Sequence, residues 1–146
     1  MTGQPLWDLR HRIYRHFVET GRPPDRPQMV AWAEGEDELD ALLDRLHTAH
    51  LVVLGEDRNI RMALPFSGVE TPHRVLGPKV DWSANCAWDS LAIPAALHID
   101  ARVEATWHDT GEAVDIAVVD GRLQSSPGFV HFSTPAHRWW DDIVET

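Results

Sequence analysis

Cys86 and Asp89 stand three residues apart in the run Ser83-Ala84-Asn85-Cys86-Ala87-Trp88-Asp89-Ser90-Leu91, and Cys86 is the only cysteine of the chain. On a helix, that spacing puts thiol and carboxylate on one face. Ser83 and Asn85 are both suitable N-caps, which sets Cys86 in the first helical turn, where the helix field favours a thiolate. A soft nucleophile or metal ligand beside a proton carrier is the chemistry such a pair offers. The same cysteine equally suits a small buried packing residue, the usual place of a free thiol.

Other groups offer less. His131 sits between Val130 and Phe132 in a stretch of β character, where imidazole serves as base or ligand or simply faces the opposite side. His73 and Arg74 follow a loop able to cover a site, and Arg74 suits an anionic group or plain solvent. Trp88 either lines an aromatic pocket or fills the core. His11, His16, His47, His50 and His137 form no zinc spacing with the single cysteine. The sequence contains no Gly-x-Gly-x-x-Gly, Walker loop or Gly-x-Ser-x-Gly elbow, so nucleotide-dependent and serine-hydrolase chemistry lack support.

The elements that must position these residues change character midway. Leu6, Leu9, Ile13, Phe17 and Val18 recur at helical spacing up to Gly21-Arg22-Pro23-Pro24. A short helix is expected from Pro27 to Gly35, and a third from Glu36 to His50 with Leu39, Leu42, Leu43 and Leu46 on one face. Leu51 to Leu54 and Ile60 to Leu64 read as a hairpin around Gly55 to Asn59. Three helices and a hairpin outline a winged helix, but the third helix is acidic where a DNA-reading helix faces phosphates. Phe66 to Lys79 reads as loop with a short strand near Val75. A helix follows from Asn85 to Leu97, kinked or broken at Pro94. Ala101 to Trp107, Ala113 to Val119 and Phe129 to Phe132 read as strands, and Pro135 to Val144 as a short amphipathic helix.

Bulk composition sets the frame. The 146 residues suit one domain or two small lobes, with 43% hydrophobic and 25% charged side chains. A net charge of −10 disfavours nucleic acid and anionic membranes as partners. No apolar run approaches a bilayer span, the first residues lack the pattern of a secretory signal, and a lone cysteine fits a reducing cytoplasm. The seven tryptophans are expected to be mostly packing residues.

Several blocks together carry a resemblance. Thr71-Pro72-His73-Arg74-Val75, the run Ala84 to Leu97, Ala101-Arg102-Val103-Glu104, Thr110-Gly111-Glu112-Ala113-Val114 and Val130-His131-Phe132 resemble the core of the alkylmercury lyases, in that family's order. The resemblance implies an α+β fold. A winged-helix-like helical lobe over residues 1–64 would precede a core over 65–146, built from a small, mainly antiparallel sheet with flanking helices. Enzymes of the family break a carbon–mercury bond by protonolysis, with two cysteine thiolates on the metal and an aspartate in metal binding and proton delivery. Their Cys-x-x-Asp motif falls on Cys86 and Asp89, which are thereby implied as catalytic residues and mercury ligands.

One departure is equally specific. The family's second cysteine precedes the Val-His-Phe block, where this chain reads Ser125-Ser126-Pro127-Gly128-Phe129. Two thiolates from one chain are therefore excluded. His131, beside that position, is the candidate replacement as base or ligand, and an external thiol would complete the coordination. The implied partner is a small organomercurial or another small organic compound. No resident cofactor is required, the mercuric ion being derived from substrate, and the oligomeric state stays open. The alternatives are a relative acting on another organic substrate by thiol or acid–base chemistry, or a non-catalytic protein that binds a metal or electrophile.

Overall fold

The computed structural model describes residues 3–124 and 128–145. Helix α1 (Gln4–Thr20) buries Leu6, Leu9, Ile13 and Phe17 and ends at Gly21, whose left-handed φ of 75° turns its N–H onto the carbonyl of Phe17. Gly21 is also required by closeness, because a Cβ there would lie 2.1 Å from the carbonyl oxygen of Asp81. Helix α2 (Arg26–Ala33) starts from a capping box in which Asp25 and Gln28 satisfy each other's backbone N–H. Helix α3 (Glu36–Thr48) buries its four leucines and carries Glu36, Asp37 and Glu38 in its first turn, where the helix dipole favours anions. Its acidic face is paired rather than open: Arg26 binds Glu36 and Asp40, and Arg58 binds Asp40 and Asp44.

Strands β1 (Val53–Leu54), β2 (Ile60–Ala63) and β3 (Phe66–Ser67) form a small antiparallel sheet. The boundary read between residues 64 and 65 lies between the paired strands β2 and β3. A second, antiparallel sheet follows the order β5-β4-β6-β7-β8. It comprises β4 (Arg74–Leu76), β5 (Asp81–Ser83), β6 (Ala101–Thr106), β7 (Ala113–Val119) and β8 (Arg122–Gln124), with helix α4 (Ala87–Leu97) between β5 and β6. Trp82, Val75, Val103 and Ile116 are successive cross-strand partners. That row turns one face of the sheet inward, while Arg74 pairs with Glu104 on the other. The expected α+β class therefore holds, with helices against two small antiparallel sheets.

One hydrophobic cluster runs from Leu6 to Val103 through both sheets. Phe66 stacks on Phe17 at 5.4 Å and meets Trp82 at 6.4 Å, and the indole N–H of Trp82 donates to the Phe17 carbonyl at 2.7 Å. Trp82 is the only tryptophan that is buried; Trp7 and Trp88 are half exposed, at 52% and 55%. The expectation that most tryptophans pack the core is thus corrected, because the core is filled largely by aliphatic residues.

Three local expectations also change. Pro94 is buried inside an unbroken α4, its missing N–H costing one hydrogen bond without ending the helix. Phe129 to Phe132 forms no strand, and Phe129 is 97% exposed. The strand that extends the sheet is β8, reached through Asp120 and Gly121, both at positive φ as a two-residue hairpin turn requires. The chain's last element is a 3-10 helix, Ala136–Asp141, with no buried residue.

Candidate functional site

The junction of the two sheets determines where Cys86 falls. Phe66 bridges Ala84 in antiparallel fashion, and the Ala84 N–H donates to the carbonyl of His73 at 2.9 Å. The Thr71 hydroxyl donates to the Ala84 carbonyl. Chain direction changes at the next residue. Cys86, in extended conformation, is itself the N-cap of α4, its carbonyl accepting the Ser90 N–H at 3.1 Å.

Cys86 therefore does not lie in the first turn, as the sequence suggests, but one residue earlier. Neither expected cap acts as one. Ser83 belongs to β5, paired with Arg74, and the side chain of Asn85 turns elsewhere. Its Nδ2 donates to Asp89 Oδ2 at 3.0 Å and to the carbonyls of Pro65 and Phe66 at 3.2 Å each.

The electrostatics of the pair reverse one expectation. Burial pushes the half-buried Cys86 thiol above its ordinary value, and the Asp89 carboxylate adds to that rise. The backbone N–H groups of Asp89 and Trp88 oppose it without prevailing. Desolvation thus outweighs the helix field, and the sulfur keeps its proton. Asp89 is also pushed up, by burial, against the lowering effect of the Asn85 amide. Both groups are held toward their neutral forms.

The N-terminal helix reaches this neighbourhood through Tyr14. Its hydroxyl donates to the carbonyls of Leu64 at 3.0 Å and Leu51 at 3.3 Å. Burial raises its pKa, the Arg10 guanidinium lowers it, and Asp89 raises it further. Arg10 lies 4.5 Å from the centre of the Tyr14 ring and 5.8 Å from that of Trp7. Asn85 in this role and Tyr14 are what reading the sequence missed. Asn85 registers there only as a cap, and nothing local to Tyr14 points across the long stretch of sequence to α4.

The other candidates lie apart from this constellation or at its edge. Trp88 does not fill the core; its exposed indole meets Phe132 edge-on at 6.3 Å, and Phe132 meets Trp139 at 5.1 Å. Trp140 stacks on His50 at 3.9 Å, tying this segment to the end of α3. His131 adjoins Phe132 but is exposed and makes no hydrogen bond or ion pair with a described residue. Ser125, Ser126 and Pro127, where the sequence departs from the Cys-containing pattern, lie outside the described residues. Arg74 is occupied by Glu104 at 3.3 Å and Asp81 at 3.7 Å. His73 is pushed down by burial, and its Nδ1 is buried without a partner. Among the described residues no three His, Cys, Asp or Glu side chains converge as a metal site.

Two surface concavities lie away from Cys86. One lies against α1 and is lined by His11, Arg12, His16 and Trp32; the other lies between Pro23, Gly55 and Val69. Neither touches Cys86, Asp89 or His131. Cys86 and Asp89 instead lie one helical turn apart at the start of α4, away from both concavities.

Comparison with known proteins returns to the same helix. No curated protein sequence matches the chain. The crystal structure of the mercury-bound form of MerB2 superimposes with a TM-score of 0.66 at 19% identity, over 85% of this chain and 60% of that one. The chain thus spans less than two thirds of that protein, and at this identity the likeness establishes the fold. The sequence model of the alkylmercury lyases matches residues 66–146, more than half of the chain. That match begins at Phe66, whose carbonyl holds Asn85, and runs through Cys86 and Asp89 to the end of the sequence, so the chain belongs to the alkylmercury lyase family.

Proposed function

We propose that this protein cleaves the carbon–mercury bond of small organomercurials by protonolysis, with Cys86 as the mercury ligand and Asp89 as the proton carrier. One observation carries the reading: the family's thiol and carboxylate lie one turn apart at the start of α4, where burial raises the pKa of both. A compound R–Hg–X exchanges X for the Cys86 sulfur, and the thiol proton leaves with X or passes to Asp89. Soft thiolate suits soft mercury, and its electron donation weakens the metal–carbon bond. Asp89, protonated, then delivers its proton to the carbon. R–H departs, and mercury stays on Cys86 with the Asp89 carboxylate beside it. Two external thiols displace the ion as a dithiolate; one of their protons returns to Cys86, and the other returns to Asp89 or, where X left as an anion, goes to X. The sum is R–Hg–X plus two thiols giving R–H, H–X and the mercury dithiolate.

The external thiol occupies the role that a second cysteine plays elsewhere in the family. His131, next to Phe132 at the edge of Trp88, is the side chain we assign as auxiliary base or ligand there. The single sulfur favours one second reading, stoichiometric capture of mercury without turnover. Benzene release from phenylmercuric acetate in excess thiol, compared with Cys86→Ser, separates the two. Repeated release by the native chain alone supports the enzyme. A stable one-to-one adduct with no benzene above the variant's background would leave only capture.

A further inference from the structure

Asn85 does something no N-cap does. Its Nδ2 faces three acceptors, Asp89 Oδ2 at 3.0 Å and the Pro65 and Phe66 carbonyls at 3.2 Å. That environment fixes the amide's orientation, because the flipped group would set its oxygen against three oxygens. The Oδ1 that results is buried and unpartnered, a cost carried to keep the donors where they are.

The acceptors on the far side are themselves anchored. Pro65 ends the link from β2, and Phe66 opens β3; Phe66 bridges Ala84 and stacks on Phe17, and Tyr14 holds the preceding carbonyl of Leu64 at 3.0 Å. Asp89 occupies the third position of α4, from which an acidic side chain ordinarily turns back to the N-cap N–H. Here no side chain caps the helix, and Asp89 reaches Asn85 instead.

We propose that Asn85 is a positioning residue, fixing Asp89 to the β2–β3 link through Oδ2 so that the transferable proton is carried on Oδ1. An N–H donor at Oδ2 favours the unprotonated oxygen there and leaves the hydroxyl form to the other atom. With Asn85 removed, Asp89 is free to turn back onto the Cys86 N–H, and the proton leaves its line to the metal-bound carbon. The kinetic consequence rests on the carbon–mercury reading above; the orientation of Asp89 does not.

Two readouts on Asn85→Ala test this. A crystal structure of the variant is expected to show the Asp89 carboxylate displaced from the β2–β3 link. With phenylmercuric acetate and excess thiol, kcat for benzene release is expected to fall about 100-fold, the scale of a misplaced catalytic group. KM and one-to-one mercury uptake by Cys86 should stay unchanged. Asn85→Ser, whose hydroxyl is too short to span the same acceptors, carries both readouts should the alanine variant fail to fold. An undisplaced Asp89, or a loss of mercury uptake in step with kcat, would overturn the proposal. If the native protein releases no benzene, the functional reading falls, and the position of Asp89 in the variant alone decides the role of Asn85.

Discussion

At the start of α4 the polar groups around Cys86 are tied into the fold. Asp89 is bound by Asn85, Asn85 by the β2–β3 link, and that link by Tyr14 and the Phe66–Ala84 bridge. The segment from Gly128 to Glu145 is built differently. It has no buried residue, its only helix is a 3-10 turn, and it rests on the body through exposed or half-buried rings, Phe132 on Trp88 and Trp140 on His50. One region ties the Asp89 carboxylate to the fold beside Cys86; the other presents His131 to solvent. On the proposed reading, preorganisation would cover the proton-transfer half of the chemistry. The second ligand would then be left to an arriving thiol.

Substitutions can break that contrast, beginning with the largest effect. Cys86→Ser should abolish mercury uptake, measured as bound metal per chain after gel filtration, because a hydroxyl is a poor ligand for a soft ion. Asp89→Asn should keep the uptake but slow hydrocarbon release by about 100- to 10,000-fold, the usual range for a lost general acid. Phe66→Ala strikes the anchor itself. A side chain 3% exposed and stacked on Phe17 should cost about 3–5 kcal/mol in denaturant unfolding. His131→Ala should have the smallest effect, a few-fold at most in kcat, since an exposed imidazole has little to hold it in place.

Titration sharpens the same contrast. Because burial raises the Asp89 pKa in the folded state, the native chain binds more protons than the unfolded one between the ordinary and the raised carboxylate values. Stability contributed by the protonated carboxyl is then lost as pH rises through that window. Asp89→Asn lacks this loss. Its unfolding temperature should exceed the native one above the window, and the advantage should vanish below the ordinary carboxylate range. An advantage that persists unchanged at low pH would show that desolvation is not what burdens Asp89.

Some of this was legible before folding and some was not, for physical reasons. Leu39, Leu42, Leu43 and Leu46 recur at helical spacing, so α3 could be read directly, and the alternation in Ala101 to Val119 announced the β6–β7 hairpin. Cys86 and Asp89 were legible from spacing and family resemblance together. The cap was misread because Asn85 has two uses for its amide, and only the fold brings Pro65 and Phe66 within reach of the second. Long-range partners of that kind leave no local signal. The strand expected at Phe129 to Phe132 failed for the opposite reason: Phe129 is left exposed, Phe132 finds only ring contacts at the surface, and the segment pairs with no strand among the described residues. The thiol pKa was misjudged because sequence reveals a helix start but not the burial that outweighs it.

Dependence on external thiol tests the central claim most directly. Benzene release from phenylmercuric acetate should be followed at fixed protein while a small monothiol is raised from zero. One sulfur per chain predicts no more than one benzene per Cys86 without thiol, and multiple turnovers that saturate as thiol increases. Release beyond one equivalent in the absence of any thiol, or none at any thiol concentration, would contradict it.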